Sequence, residues 1–588
     1  MDDNGARNRS AAPRRDTPST QWSFRLLCLA ALVLPFEAVR PLLPLPLMAL
    51  TSVELAVGAF TVVALASPAV HRRLSSALRP ADALLLAFLG TAFLSAVLAP
   101  EGRAVALKFA LRLAAGAAFM VAVTGTLAAR PRYRPLLWTL AAGVGVSALL
   151  GVGEVAGWPL LRPVLALFKE APSRVGGTLR LSASFQYATI AAAYYEMALP
   201  LLLVLAAIEK RQRRWGALGL AALLVVGAVL TLTRSTLAVM AALLALLGWL
   251  AATDRRAVRL RAPVALAAVV LGLSVGVLAW QVGPFRARLT TENDLNWYNA
   301  RYTVPATLRV RSGQTVTVTV QVQNTGAIPW NPDGETPFAL GVYWRSEDGS
   351  AVVDTGHVEW PLPRTVNPGE TVSLQVAIPV RLPPGTYRLT WGMLQRDILW
   401  FRHRGVPEAS TLVRVEGAAP AAEAEPPLRP PERLPSVPPT VPRRQLWRAA
   451  LAMWQERPLL GYGPDTFRLR YGPYIGLEAW DRRLHANNLY LELLADTGLL
   501  GLGTFIAFLG ASGWAFWSRQ RALTERAWLV LVGAAGGGLA FLLHGVLDTF
   551  LGFTPTASLF WLLLGIARST LVTARRRGPS GAGERPEL

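Results

Sequence analysis

"HANNLYLELLADTGLLGLGTFIAFLGASGWAFW", residues 485–517, decides the fold class. From Leu489 onward it is an apolar run long enough to cross the roughly 30 Å of hydrocarbon in a bilayer. Eleven further runs of comparable character bring the total to twelve candidate spans: 23–39, 45–67, 81–99, 104–127, 135–156, 187–208, 215–233, 235–252, 262–282, 489–517, 526–547 and 554–572. Hydrophobic residues make up 52% of the 588 and charged residues only 16%, more apolar content than soluble cores of this size need. The expected fold is therefore a polytopic α-helical membrane protein of about 12 transmembrane helices.

The formal charge of +22 sits in short loops such as "HRRLSSALRP", "EKRQRRWG" and "TDRRAVRLR", which argues against a nucleic-acid partner. Loops after the even-numbered spans hold the clusters, among them Arg72 and Arg73, Arg130 to Arg134 and Lys210 to Arg214. The positive-inside rule places these loops and both termini in the cytoplasm, and puts His485 outside. The loop after the fifth span is less clean, since it holds Arg162, Lys169, Arg174 and Arg180. Cys28 is the sole cysteine, so an intrachain disulfide is excluded. The first span lacks a small-residue cleavage site and reads as an anchor.

Between the ninth and tenth spans the pattern changes to period 2. "QTVTVTVQV", residues 314–322, and residues 372–380 alternate, and turn residues punctuate at "NTG", "NPDG", "EDGS" and "PPGTY". This predicts an extracytoplasmic all-β sandwich inserted between helices 9 and 10. It resembles the immunoglobulin-like four-tryptophan domains through "VQNTGAIPW", "PGETVSLQV" and "PPGTYRLTWGM", with Trp330, Trp391 and Trp400 in place and the usual first tryptophan absent. Such modules are spacers or units that bind a protein partner. The expected organisation is a disordered cytoplasmic N-terminus (1–20), helices 1–9 (21–285), the sandwich (300–416), a Pro/Ala/Glu-rich linker (417–443), an amphipathic segment with helices 10–12 (444–573) and a cytoplasmic tail (574–588).

Ionisable residues near membrane helices are costly and hence informative. Arg180, Arg234 in "TLTRSTLAV" and Arg444 fall on the outer face, as do Lys108 and Arg112 one helical turn apart. Each alone is consistent with a cation reaching toward head groups; together they form a cationic outer surface suited to diphosphate oxygens. Neither a Walker loop nor HExxH, GxSxG or an outer acidic pair suited to a metal is present, so neither cofactor nor metal is expected. His485 has two readings. Either Asn487 or Asn488 caps the following helix and His485 is an interfacial residue, or His485 is a general base flanked by Asn487, Asn488 and Tyr490. His544 and Asp548, at i and i+4, are open to the same pair of readings.

"TRSTLA", "RPLLGYGPDTF", "HANNLYLELLADTGLLG" and "HGVLDTFLGF", in that order around a large loop, resemble the O-antigen ligase and O-antigen polymerase superfamily, whose relatives include protein O-oligosaccharyltransferases. The resemblance implies a bacterial cytoplasmic-membrane enzyme. Such an enzyme moves a glycan from an undecaprenyl-diphosphate-linked donor to a glycan, lipid or protein acceptor, with inversion and without metal. It also implies that an outer-loop histidine is the base and that arginines like Arg234 and Arg444 hold the diphosphate. The family pattern places its histidine at the position of Asn487, and here histidine stands two residues earlier. A transporter of a small anion or glycan, or a degenerate scaffold for polysaccharide assembly, are the other classes to weigh.

Overall fold

The computed structural model describes residues 18–44, 49–68, 70, 79–129, 131–176, 178–291, 296–334, 336–349, 351–353, 357–396, 398–417, 441–478 and 480–574. Most of the expected N-terminal segment, residues 418–440 of the linker, the tail beyond 574, and Arg72, Arg73 and Arg130 lie outside them. The chain divides into two units, one of residues 1–172, 181–274 and 443–588, the other of residues 173–180 and 275–442.

The first unit is helical. Its helices are α1 (Pro18–Val33), α2 (Ser52–Leu65), α3 (Arg79–Val97), α4 (Arg103–Ala129), α5 (Tyr133–Val155), α6 (Ala188–Ile208), α7 (Arg211–Leu230), α8 (Arg234–Thr253) and α9 (Arg261–Gln281), the last running into the second unit. After residue 442 come α10 (Arg443–Glu456), α11 (Phe467–Tyr474), α12 (Leu489–Arg519), α13 (Glu525–His544) and α14 (Thr554–Ala574). Among the described residues ten helices are long and apolar enough to cross a membrane. The first two expected spans fall short of that: α1 has 16 residues and α2 has 14, about 24 and 21 Å at the helical rise. Prolines 35, 41, 44 and 46 fill the stretch between them, and α2 starts only where Thr51 and Glu54 close a capping box.

The helix α6 lies at the centre, with every side chain from 190 to 207 buried. It packs on α7 and α13, while α14 packs on α4 and α12 on α3. Glycines make the α6–α13 contact close. A Cβ on Gly537 would sit 2.2 Å from the Met197 carbonyl oxygen, so the two backbones touch there.

Residues 275–442 of the second unit hold two sheets among the described residues. Strands β1 (Ala300–Thr303), β3 (Thr315–Asn324) and β6 (Thr371–Pro379) form one, in the order β6-β3-β1. The other runs β2 (Thr307–Arg311), β9 (Ala409–Glu416), β7 (Gly385–Gln395), β4 (Phe338–Ser346), β5 (Val358–Pro361), with β8 (Leu399–Trp400) also on β7. All pairs are antiparallel except β2 on β9. Val318, Val320 and Val322 are buried while the intervening Thr319 and Gln321 are exposed, so the period-2 reading describes a strand with one inward face. Trp330 and Trp391 are fully buried core residues, and the Trp391 indole donates to Thr411 at 3.0 Å.

Candidate functional site

The site grows from a break in α12. Gly498 has φ 66° and ψ −168°, which divides the helix into a short head and a shaft. The segment "RPLLGYGPDTF" wraps the break and takes up the freed backbone groups. The amides of Leu499 and Leu500 donate to the carbonyls of Pro458 and Leu459 at 2.8 and 3.2 Å, and those of Tyr462 and Gly463 donate to Ala495 and Asp496 at 3.1 and 2.8 Å. A Cβ at Gly498 would lie 2.2 Å from the Leu459 carbonyl carbon, and one at Gly461 2.4 Å from that of Asp496. The buried Asp496 carboxylate accepts the amides of Asp465 and Phe467 at 2.7 and 2.8 Å, which caps α11.

At the top of the head, Asn488 is the N-cap: its side-chain oxygen accepts the amides of Tyr490 and Leu491 at 3.0 Å. Its amide donates to the Val546 carbonyl at 2.9 Å, and the Tyr490 hydroxyl donates to the Leu542 carbonyl at 2.8 Å. The two side chains thus tie α12 to the last turn of α13 and to the chain leaving it. Asn487 has φ +51°, in the left-handed region, and this turn carries the preceding chain back over the helix. There His485 Nδ1 meets Glu492 Oε1 at 2.6 Å. Glu492 Oε2 accepts the Ala486 amide at 2.9 Å and the Thr549 hydroxyl at 3.1 Å.

His485 also packs edge-on against Phe553, 6.2 Å between ring centroids, and Phe553 in turn meets Tyr187. Arg468, which grips Asp465 through two bonds of 2.7 and 2.8 Å, lies within its electrostatic reach. Burial disfavours a charged imidazole here, but the charge and hydrogen bond of Glu492, with Asp465 adding to them, outweigh it. The pKa of His485 is pushed up to about 9. With Nδ1 committed to Glu492, proton exchange falls to Nε2.

A second histidine–glutamate pair stands nearby in the chain of contacts. His544 ends α13, and its Nδ1 lies 3.0 Å from both Glu196 carboxylate oxygens. Its Nε2 lies 2.8 Å from the Ser235 hydroxyl, at the start of α8. Helical side chains lean toward their own N-terminus, and α6 and α13 run in opposite directions, so Glu196 and His544 lean toward each other across the glycine contact. The helix ends at His544 and residues 545–547 turn, but the Asp548 amide still donates to the His544 carbonyl at 3.0 Å, one turn along, and its carboxylate lies within electrostatic reach of His544.

The remaining candidates divide. Arg234 opens α8 next to Ser235, and Arg444 is exposed at the start of α10, next to Arg443, which is within electrostatic reach of His544. Residues 545–549 join His544 to the head of α12, the Val546 carbonyl accepting from Asn488 and the Thr549 hydroxyl donating to Glu492. Arg112 is in an ion pair with Glu54 at 2.8 Å, and Lys108 is half-buried on the same helix. Arg180 belongs to the second unit, where its amide donates to Ser173. The sequence reading missed Glu492, Ser235, Thr549, Asp465 and Arg468. Glu196, a carboxylate inside an apolar helix, is the kind of residue the sequence alone can flag. Among the described residues no three His, Cys, Asp or Glu side chains gather as metal ligands.

Residues 438–506 match the family model described as O-antigen ligase. No curated protein matches the chain. The matched stretch takes in α10, the wrap around Gly498, α11, His485 and the head of α12. The residues that assemble the His485–Glu492 pair in this polytopic helical membrane protein are thus the ones similar to the O-antigen ligase family.

Proposed function

We propose that the protein transfers a glycan from an undecaprenyl-diphosphate-linked donor to an acceptor hydroxyl on the outer face of a bacterial cytoplasmic membrane, with inversion and without metal. The observation that carries this reading is the His485–Glu492 pair beside Thr549, at the end of the bundle where Arg234 and Arg444 also lie. His485 Nε2 takes the proton of the acceptor hydroxyl, and Glu492 stabilises the imidazolium that forms. The acceptor oxygen bonds to the anomeric carbon as the bond to the diphosphate oxygen breaks. Arg234 and Arg444 favour the charge that builds on the departing diphosphate. Arg134, Arg211, Arg213, Arg256 and Arg519 belong to the opposite ends of the helices, which supports an outward-facing site.

The test is a mass-spectrometric census of lipid-linked glycans in wild type, a deletion strain, and the deletion complemented with His485→Ala at matched expression. Accumulation of the lipid-linked donor in both mutants, with loss of a finished glycoconjugate, is expected. Accumulation in the deletion alone would remove His485 as the base, and no change in either would remove glycosyl transfer.

A further inference from the structure

Glu196 is a carboxylate with no exposed surface inside an apolar helix, and His544 beside it has none either. Two such groups taken from solvent are tolerated only when the geometry between them is good and the remaining polar atoms are satisfied. Here both ring nitrogens of His544 are used: Nδ1 on Glu196 at 3.0 Å and Nε2 on Ser235 at 2.8 Å. The three residues come from α6, α13 and α8, so the line ties three helices together at one point. That point is the first turn of α8.

The chain entering α8 is held with unusual firmness. Residues 231–233 join α7 to α8 with Leu232 at φ +53°, a left-handed conformation unfavourable for a residue with a β-carbon. Leu232 is only 3% exposed. The Thr231 hydroxyl donates to the Ala228 carbonyl at 2.6 Å and lies 3.0 Å from the Thr233 hydroxyl, and the Leu181 amide donates to the Leu230 carbonyl at 3.0 Å. Backbone strain of this kind persists only where its surroundings over-determine it, and it collects where a side chain must be presented accurately. The residue presented between the strained turn and the Ser235 anchor is Arg234.

We propose that Glu196, His544 and Ser235 are positioning residues for the anionic donor: they fix the first turn of α8 so that Arg234 meets the diphosphate in one orientation. This rests on the reading above that Arg234 holds the diphosphate. None of the three takes part in bond making. Their effect is to lower the cost of aligning a flexible arginine, which appears as donor affinity and leaves proton transfer at His485 untouched.

The full-length protein in lipid nanodiscs is the material for the test, with binding of undecaprenyl diphosphate lacking any glycan measured by native mass spectrometry and undecaprenol as the uncharged control. Ser235→Ala is expected to weaken diphosphate binding about tenfold while undecaprenol binding is unchanged. Ser235→Thr, which keeps a hydroxyl, restores it. Glu196→Gln weakens binding as Ser235→Ala does. The double variant Arg234→Ala/Ser235→Ala binds no more weakly than Arg234→Ala alone, because the anchor acts only through that arginine. Diphosphate binding unchanged in Ser235→Ala, or losses that add in the double variant, would overturn the positioning role while leaving the transferase reading intact. Failure of the wild type to prefer the diphosphate over undecaprenol would overturn both.

Discussion

At the scale of single residues the decisive quantity is the charge on His485. A pKa of about 9 means that the imidazole is protonated at neutral pH, and the free base is roughly one part in a hundred there. Glu492 therefore makes each deprotonated imidazole a stronger base while making that form rarer. The sign follows directly: a base with a raised pKa is lost as the pH falls below it. We expect kcat/KM for glycan transfer to climb with pH, about tenfold per unit, and level off near 9. In Glu492→Gln the attractive charge is gone and burial prevails, so the limb should move to acid and the plateau should drop. A limb that stays near 9 in this variant would mean that another group is being titrated. His485 was visible in the sequence because histidine is so rare in this chain. Glu492 was not, since it meets His485 only after Asn487 turns left-handed and Asn488 starts a new helix between them.

At the scale of elements, Gly498 separates what must be glycine from what only happens to be. Alanine there would combine a left-handed φ with a Cβ 2.2 Å from the Leu459 carbonyl carbon. Gly498→Ala should lower stability by about 1–3 kcal/mol or more in thermal unfolding. Gly503→Ala, on the shaft with nothing within 4 Å, should be neutral or mildly stabilising. Equal effects would refute the clamp. The long apolar runs and the alternating strands were legible in the sequence because their period is a direct image of burial. Element ends were harder to read. The runs at 23–39 and 45–67 look continuous by hydropathy, yet proline shortens both, and the run at 526–547 ends at His544 because the chain turns there. Nothing in the sequence alone shows that "GYGP" and "ADTG" belong to one clamp, because that pairing is made entirely by backbone hydrogen bonds.

For the whole molecule the prediction concerns orientation. In a Cys28→Ser background, a single Glu170→Cys should react with an impermeant maleimide on intact spheroplasts, and Arg213→Cys only after permeabilisation. The reverse pattern would turn His485 to the cytoplasm and sink outward transfer. The arginine distribution carried this information in the sequence, whereas the meeting of Ser235, His544 and Glu196 depends on how α6, α8 and α13 pack. The break in α12 bears on how the protein tolerates its solvent. The shaft, residues 499–519, spans about 31 Å, so it tilts when the hydrocarbon layer grows or thins. A continuous rod would swing Glu492 along an arc away from His485. With its hydrogen-bond ladder cut at Gly498 and its head stitched to residues 458–467, the shaft can lean while the head stays put, so lipid composition acts on the lower half of α12 and the acid–base pair above it is mechanically shielded.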